Sequence, residues 1–502
     1  MKSIIIFISI YSLYIVSALC QGRGNIWCFG DSCLMNFNTN PPSTDYSALR
    51  SRGTACSISD SSGNLLFYAG SPHVPLWQSG GVYFLGLVYN KNHEIMENGD
   101  TLASELWYNE MIIIPDLNYN NSYYLFHLHM TTTDTGLFYS KIDLSYNGGL
   151  GRVTTKNNKL LDGYMADGLA AIKHGNGRDW WVIARKSEFL LGGPEDNDFY
   201  IYLVDTGGIT PQPIQSIGTL NPTNLAKITF NPVGDKFVFT NLNDLIEMYD
   251  FDRCTGIVSN PVTIEPNAGP GLSTHTWGAE FSANGRYLYV STSKDTSYLY
   301  QYDTYASNIT TSRVIIDAFD SLTYAGGALK RGPDGKIYYA SAWYDGVFYN
   351  FPYPDTEYNT VNMNLGVINQ PDSPGVACDF QPFSFYLGGK RNYWGLPNNP
   401  DYDLPQLHGS SCDTLHVKID EVSKEKDDLH VYPNPTNGTI TIHSEEYLNG
   451  EIRITDAIGK SIRSVELTNG RIVIENFNPG IYTLGLFENG ILQTIKKIIV
   501  VK

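Results

Sequence analysis

The chain has 502 residues, a net charge of −17, 13% aromatic and 17% charged residues, and 47 glycines. It is too long for one ordinary core unless a repeat carries most of it. An acidic chain without a basic patch excludes nucleic acid and anionic membranes as main partners. Abundant tyrosine, punctuating glycine and no long helical periodicity predict an all-β protein.

Met1-Lys2 precedes an apolar run from Ile4 to Leu19. The run is short for a bilayer span and suits the core of a signal peptide over residues 1–20. Ala18-Leu19-Cys20 places small residues at the two positions a signal peptidase reads, so cleavage between Cys20 and Gln21 is expected. A lipidated Cys20 fits less well, because Leu19 is large for the position before such a cysteine.

Residues 24–50 hold one predicted strand, Asn25 to Phe29, and a polar loop with Pro41-Pro42. A recurring phrase then fills residues 54–356. Its clearest copy, Thr276 to Thr304, reads as three strands with an Asn284-Gly285 hairpin turn. Other copies turn at Gly63, Asn120-Asn121, Gly177, Gly234 and Gly335. The glycine turns from 177 onward are spaced by about 50 to 57 residues, enough for a four-stranded blade. Six copies are readable, and residues 21–396 have room for seven. The prediction is a β-propeller, seven-bladed with six blades as the alternative. A blade shared by the two ends, with Ile26-Trp27-Cys28-Phe29 completing strands from 376 to 395, would remove open sheet edges. The phrases ACSISDSSGNLLFYAG, GLFYSKIDL, MYDFDRCTG, LYQYD and GPDGKIYYA resemble a family of exported bacterial propeller-like proteins. The resemblance is structural and implies no activity. The loop Ser71 to Gly80 departs from that family's pattern.

Residues 397–428 combine Pro397, Pro400 and Pro405 with a charged run, Asp420 to Asp428, and read as an extended linker. Residues 429–502 show about seven short strands between Gly and Asn turns, predicting a small Ig-like β-sandwich. This tail carries seven basic and seven acidic residues from 431 onward, so the acidity lies upstream. Tyr432-Pro433-Asn434-Pro435, Gly438, Asp456, Gly459-Lys460, Gly480 with Tyr482, and Lys496-Lys497 closely resemble the type A sorting domain of the type IX secretion system. The resemblance implies export across the outer membrane by that machinery, removal of the tail by its sorting peptidase, and attachment to surface lipopolysaccharide or release.

Six cysteines follow Cys20: 28, 33, 56, 254, 378 and 412. An even count in an exported chain suggests disulfides. A clasp from Cys28 or Cys33 to Cys378 or Cys412 would join the two ends, with a local Cys28–Cys33 bond as the competitor and buried thiols as the plain alternative.

No catalytic motif, cofactor fingerprint or metal spacing emerges. His127 and His129 share one strand face, expected to be solvated. The Asp- and Asn-rich turns read as hairpin closures. Trp180-Trp181, Trp343-Tyr344 and Trp394 are ambiguous between core and surface, and Trp180 and Trp181 point to opposite faces, so at least one is expected in the core. Trp77, Trp107 and Tyr108 fall in predicted loops and are the candidate platforms for a sugar ring. Binding of a glycan or protein is the expected function. An exported polysaccharide-active enzyme and a structural surface-layer component are the alternatives. Carboxylates converging on the channel mouth would favour the enzyme, and an aromatic patch would favour binding.

Overall fold

A computed structural model describes residues 22–72, 85–105, 107–130, 134–187, 196–269, 272–294, 296–320, 324–343, 357–413, 429–445, 447–456, 460–488 and 491–501. The signal-peptide cleavage site at Cys20–Gln21, Trp77 and Gly459 lie outside them. The chain divides into two compact units, Met1–Thr414 and Leu415–Lys502.

The first unit holds seven antiparallel sheets in chain order, arranged as a seven-bladed propeller. The innermost strands of blades two to seven are Ala55–Ser59, Met111–Pro115, Ala170–Lys173, Ala226–Phe230, Thr276–Phe281 and Tyr324–Arg331. Each ends in a hairpin at a repeat turn. Gly63, Gly177, Gly234, Gly285 and Gly335 all take positive φ, between +74° and +83°. Each also donates its N–H to the carbonyl three residues back, at 2.9–3.0 Å. This conformation is one that glycine adopts without a Cβ penalty, which is why the phrase repeats it. Turn carboxylates and amides cap the same loops: Asp60 accepts from the Ser62 and Asn64 backbones, Asn231 from those of Gly234 and Lys236.

Each blade is pressed between two neighbours, so its second strand is buried on both faces. Ser122–His129, Trp180–Arg185 and Tyr287–Thr292 are buried at every position. Trp180 and Trp181 are therefore both core residues. The expected solvated face for His127 and His129 is also corrected, since both are fully buried. His127 lies between the Ala103 carbonyl and the Ser140 hydroxyl, and burial lowers its pKa to about 4.

The first blade is Ile26–Phe29, Asp31–Asn36 and Ser43–Arg50. The expected sharing of strands does not occur: Phe380–Tyr386 pairs within the seventh blade. The ends meet instead through an antiparallel bridge between Asp31 and Arg391 and through packing. Trp27 and Cys28 share one apolar cluster with Tyr338 and Leu365 of the seventh blade and Ala55 and Tyr68 of the second.

The linker expectation is corrected for residues 397–413. These form a strap along the propeller axis, and their polar groups match the backbone groups that the inner strands turn toward the channel. Asn398 Nδ2 donates to the carbonyls of Met111 and Leu169, at 3.1 and 2.8 Å. Asn399 Oδ1 accepts from the Ser57 N–H, and the buried Tyr402 hydroxyl donates to the Ile113 carbonyl at 2.9 Å. Leu404 inserts among Ile172 and Phe237. The strap leaves past Arg253, which donates to the Pro405 carbonyl at 2.7 Å, and ends in a disulfide between Cys412 and Cys254. Cys28, Cys33, Cys56 and Cys378 are buried free thiols. The expected clasp is thus corrected: Cys412 is bridged, but to the fifth blade. The strap carries it down the axis and away from the Cys28–Cys33 hairpin.

The second unit is a small sandwich made of one seven-stranded sheet. It nearly closes on itself through a parallel bridge between Thr436 and Val500. Ile440, Ile442, Ile452, Ile454, Ile474, Leu484, Leu486 and Ile498 form its core.

Candidate ligand-binding site at the channel mouths

The inner strands begin at one face of the propeller, the start face, and finish at the other, the hairpin face. At the start face three aromatic rings meet. Tyr108 comes from the loop before Met111–Pro115, Trp277 from Thr276–Phe281, and Trp394 from the segment leading into the strap. Ring centroids are 4.5 Å apart for Tyr108–Trp277, 4.8 Å for Trp277–Trp394 and 6.0 Å for Tyr108–Trp394. The Arg52 guanidinium lies over the Tyr108 ring at 5.5 Å. Tyr108 and Trp394 are buried, whereas Trp277 and Trp107 are half-exposed at the rim. Tyr108 thus serves as the floor of the cluster, and Trp107 keeps an accessible face.

Three buried carboxylates hold this mouth in place. Glu105 accepts the Trp107 indole N–H at 2.7 Å and faces His129 at 3.6 Å. Glu110 accepts from Thr54 Oγ1, Ser104 Oγ and the Glu105 N–H, at 2.7, 2.9 and 3.1 Å. Asp167 accepts the N–H groups of Tyr108 and Asn109, at 2.9 and 2.6 Å. Burial, with Asp167 and Glu105 nearby, raises Glu110 to about 8, and burial raises Asp167 to about 7. Their hydrogen bonds fix the loop that carries Trp107 and Tyr108, which is a positioning role.

At the hairpin face the channel opens into a hollow of about 350 Å³, lined by Trp27, Glu280, Lys330, Arg331 and the strap residues Asp401 and Asp403. Among the described residues, no group of three or more His, Cys, Asp or Glu is placed to hold a metal.

Sequence reasoning singled out Trp107 and Tyr108, and the fold brings them to one mouth with Trp394. It missed Trp277, which looked like an ordinary strand residue, and the carboxylates, which carry no motif. Only the repeat register, which puts Trp277 at the start of an inner strand, could have marked it.

In the tail the sorting residues are turn and edge elements. Asn434 ties the first strand to the last: its side chain donates to the Lys497 carbonyl and accepts from the Ile499 N–H, at 2.6 and 2.9 Å. Gly438 has φ +123° and accepts the Phe477 N–H at 3.1 Å. Asp456 and Lys460 close a turn, with the Lys460 N–H donating to Asp456 Oδ1 at 2.9 Å. Tyr482 donates to the Asn478 carbonyl at 2.9 Å beside Gly480, Lys497 is exposed and Lys496 is half-buried.

Comparison with curated proteins finds no match. Among solved structures, the chain is similar to a provisionally named 6-phosphogluconolactonase from Bacteroides fragilis, at 9% identity and TM-score 0.45, over 74% of this chain and 96% of that one. It is also similar to a like-named protein from Bacteroides uniformis, at 11% identity and TM-score 0.40, over 68% and 92% of the two chains. A luciferin-regenerating enzyme is similar at 12% identity and TM-score 0.33, over 59% and 83%. The family described as the secretion system C-terminal sorting domain matches residues 430–501. The tail is therefore a sorting domain of the type IX secretion system, and the protein is one delivered by that system to the cell surface or the extracellular space.

Proposed function

We propose that the propeller is an exported recognition domain whose start-face mouth binds a glycan, with sugar rings resting on Trp277 and Trp107. The observation that carries this reading is the aromatic mouth itself. Half-exposed indoles over a rigid Tyr108–Trp394 floor offer flat apolar faces beside polar edges, which suits a pyranose. The neighbouring carboxylates support binding over catalysis, because Glu105, Glu110 and Asp167 are committed to hydrogen bonds that shape the loop. In this reading the sorting peptidase removes the tail, and the propeller is attached to surface lipopolysaccharide or released. The test is an array of glycans and polysaccharides probed with the intact exported protein, scored for retention and for cleavage. Retention lost in Trp277→Ala is expected. Cleaved products would replace the binding reading with a polysaccharide-active enzyme, and a protein ligand captured in place of any glycan would also overturn it.

A further inference from the structure

We propose that the hairpin-face hollow is a second binding site, built for a small hydroxylated anion of the acidic-sugar class. The hollow of about 350 Å³ adjoins a smaller one of about 90 Å³. The two share Glu280, Lys330 and Asp401, and the smaller one adds Lys227. The larger volume falls within the range of small-molecule pockets, about 300–1,000 Å³.

Charges of both signs line the two hollows. Lys227 and Lys330 lie deep in the molecule, yet both keep accessible area because they face the channel. Each spends one donor on a backbone carbonyl: Lys227 Nζ on Leu329 at 3.1 Å, Lys330 Nζ on Asn399 at 2.9 Å. An ammonium has three donors, so both retain hydrogen-bonding capacity toward the hollow. Among the described residues neither forms an ion pair with a carboxylate. Burial disfavours their charge, taking Lys227 down to about 8, against the opposing field of Glu280. Anion binding would offset that cost. Glu280 is fixed by the N–H groups of Phe281 and Arg331, at 3.0 and 3.1 Å, and can accept further bonds. Asp401 is exposed at the rim. Lysine donors and carboxylate acceptors lining the same space suit a ligand that carries both a carboxylate and hydroxyls. Neutral sugars lack the carboxylate, and inorganic phosphate lacks the ring of sugar hydroxyls.

Calorimetry of the full-length protein with D-glucuronate, D-glucose and inorganic phosphate tests this. Glucuronate is expected to bind saturably, and about ten-fold or more tighter than glucose or phosphate, as expected when a charge-assisted hydrogen bond is made. Lys330→Met should weaken glucuronate by about the same factor, while Trp277→Ala at the opposite mouth leaves it unchanged. Absence of glucuronate binding, equal affinity for glucose, equal affinity for phosphate, or an unaltered Lys330→Met variant would each overturn the proposal. The comparison of the three ligands on the unmodified protein decides it even if Lys330→Met does not fold.

Discussion

Asp31 and Arg391, 360 residues apart, are joined twice: the Asp31 N–H donates to the Arg391 carbonyl at 2.9 Å, and Arg391 Nε donates to Asp31 Oδ2 at 2.9 Å. The Arg391 side chain is fully buried and that of Asp31 nearly so. Arg50, more exposed, also donates to Asp31 at 3.1 Å, so removing Arg391 takes away the buried one of two cationic partners, at a cost of up to about 3–5 kcal/mol. Arg391→Met should therefore lower the melting temperature sharply. An Asp31→Leu, Arg391→Met double variant should recover part of the loss, since well-packed apolar pairs often replace buried ion pairs without penalty. Thermal unfolding of the two single variants and the double variant checks this, and additive losses would show that the two residues act separately.

The strap makes a second prediction. Cys254 and Cys412 are 158 residues apart, and a cross-link over that span restricts the unfolded chain by roughly 4–5 kcal/mol in the chain-entropy model. Cys254→Ser should lower stability by up to that amount. Non-reduced peptide mapping should recover one linked pair, 254 with 412. Cys28, Cys33, Cys56 and Cys378 should resist alkylation until the protein is unfolded.

The start-face carboxylates predict a pH dependence. Glu110 at about 8 and Asp167 at about 7 both lie above ordinary carboxyl values. The native state then holds protons that the unfolded chain has released. The stability they contribute is present below the unfolded pKa and is lost as pH rises through the folded one. The wild type should lose stability between pH 5 and 8, a window set by the two raised values. Glu110→Gln keeps the acceptor oxygen and removes the titration, so its melting temperature should fall less over the same range.

The aromatic mouth separates binding from folding. Trp394 is 8% exposed, and its carbonyl accepts the Ala328 N–H at 2.7 Å. Its truncation to alanine should cost about 3–5 kcal/mol of stability. Trp277→Ala at the rim should cost less stability and abolish glycan retention. Equal losses of stability would mean that Trp277 is core.

Deleting residues 429–502 should leave the propeller folded in the periplasm, because the strap and its disulfide lie upstream of the deletion. Fractionation of cells expressing the truncated chain checks this. Truncated protein at normal levels on the surface would contradict the address.

Six blades were legible because hairpin turns at a near-regular spacing are local chemistry, and the seventh because the remaining length had room for one more. The tail was legible because its turn residues sit at characteristic offsets. The strap was not. Pro397, Pro400 and Pro405 look like a linker, and only the assembled channel supplies the carbonyls of Met111, Leu169 and Ile113 that Asn398 and Tyr402 satisfy. The same holds for Trp277 and Lys227, whose meaning comes from facing an axis that exists only once seven blades surround it. His127 was misjudged because alternation predicts one wet face, whereas stacked blades leave none.

The strap also imposes an order on synthesis. The chain emerges from residue 1, yet the first blade meets its partner only when Arg391 has been made, and the axis is filled only by residues that follow it. A polypeptide that stops early therefore has an open ring, a free Cys254 and no sorting tail. The last hundred or so residues complete the ring, lock it and address it, in that sequence. A chain made from residue 1 therefore acquires its address only after the parts that close the fold.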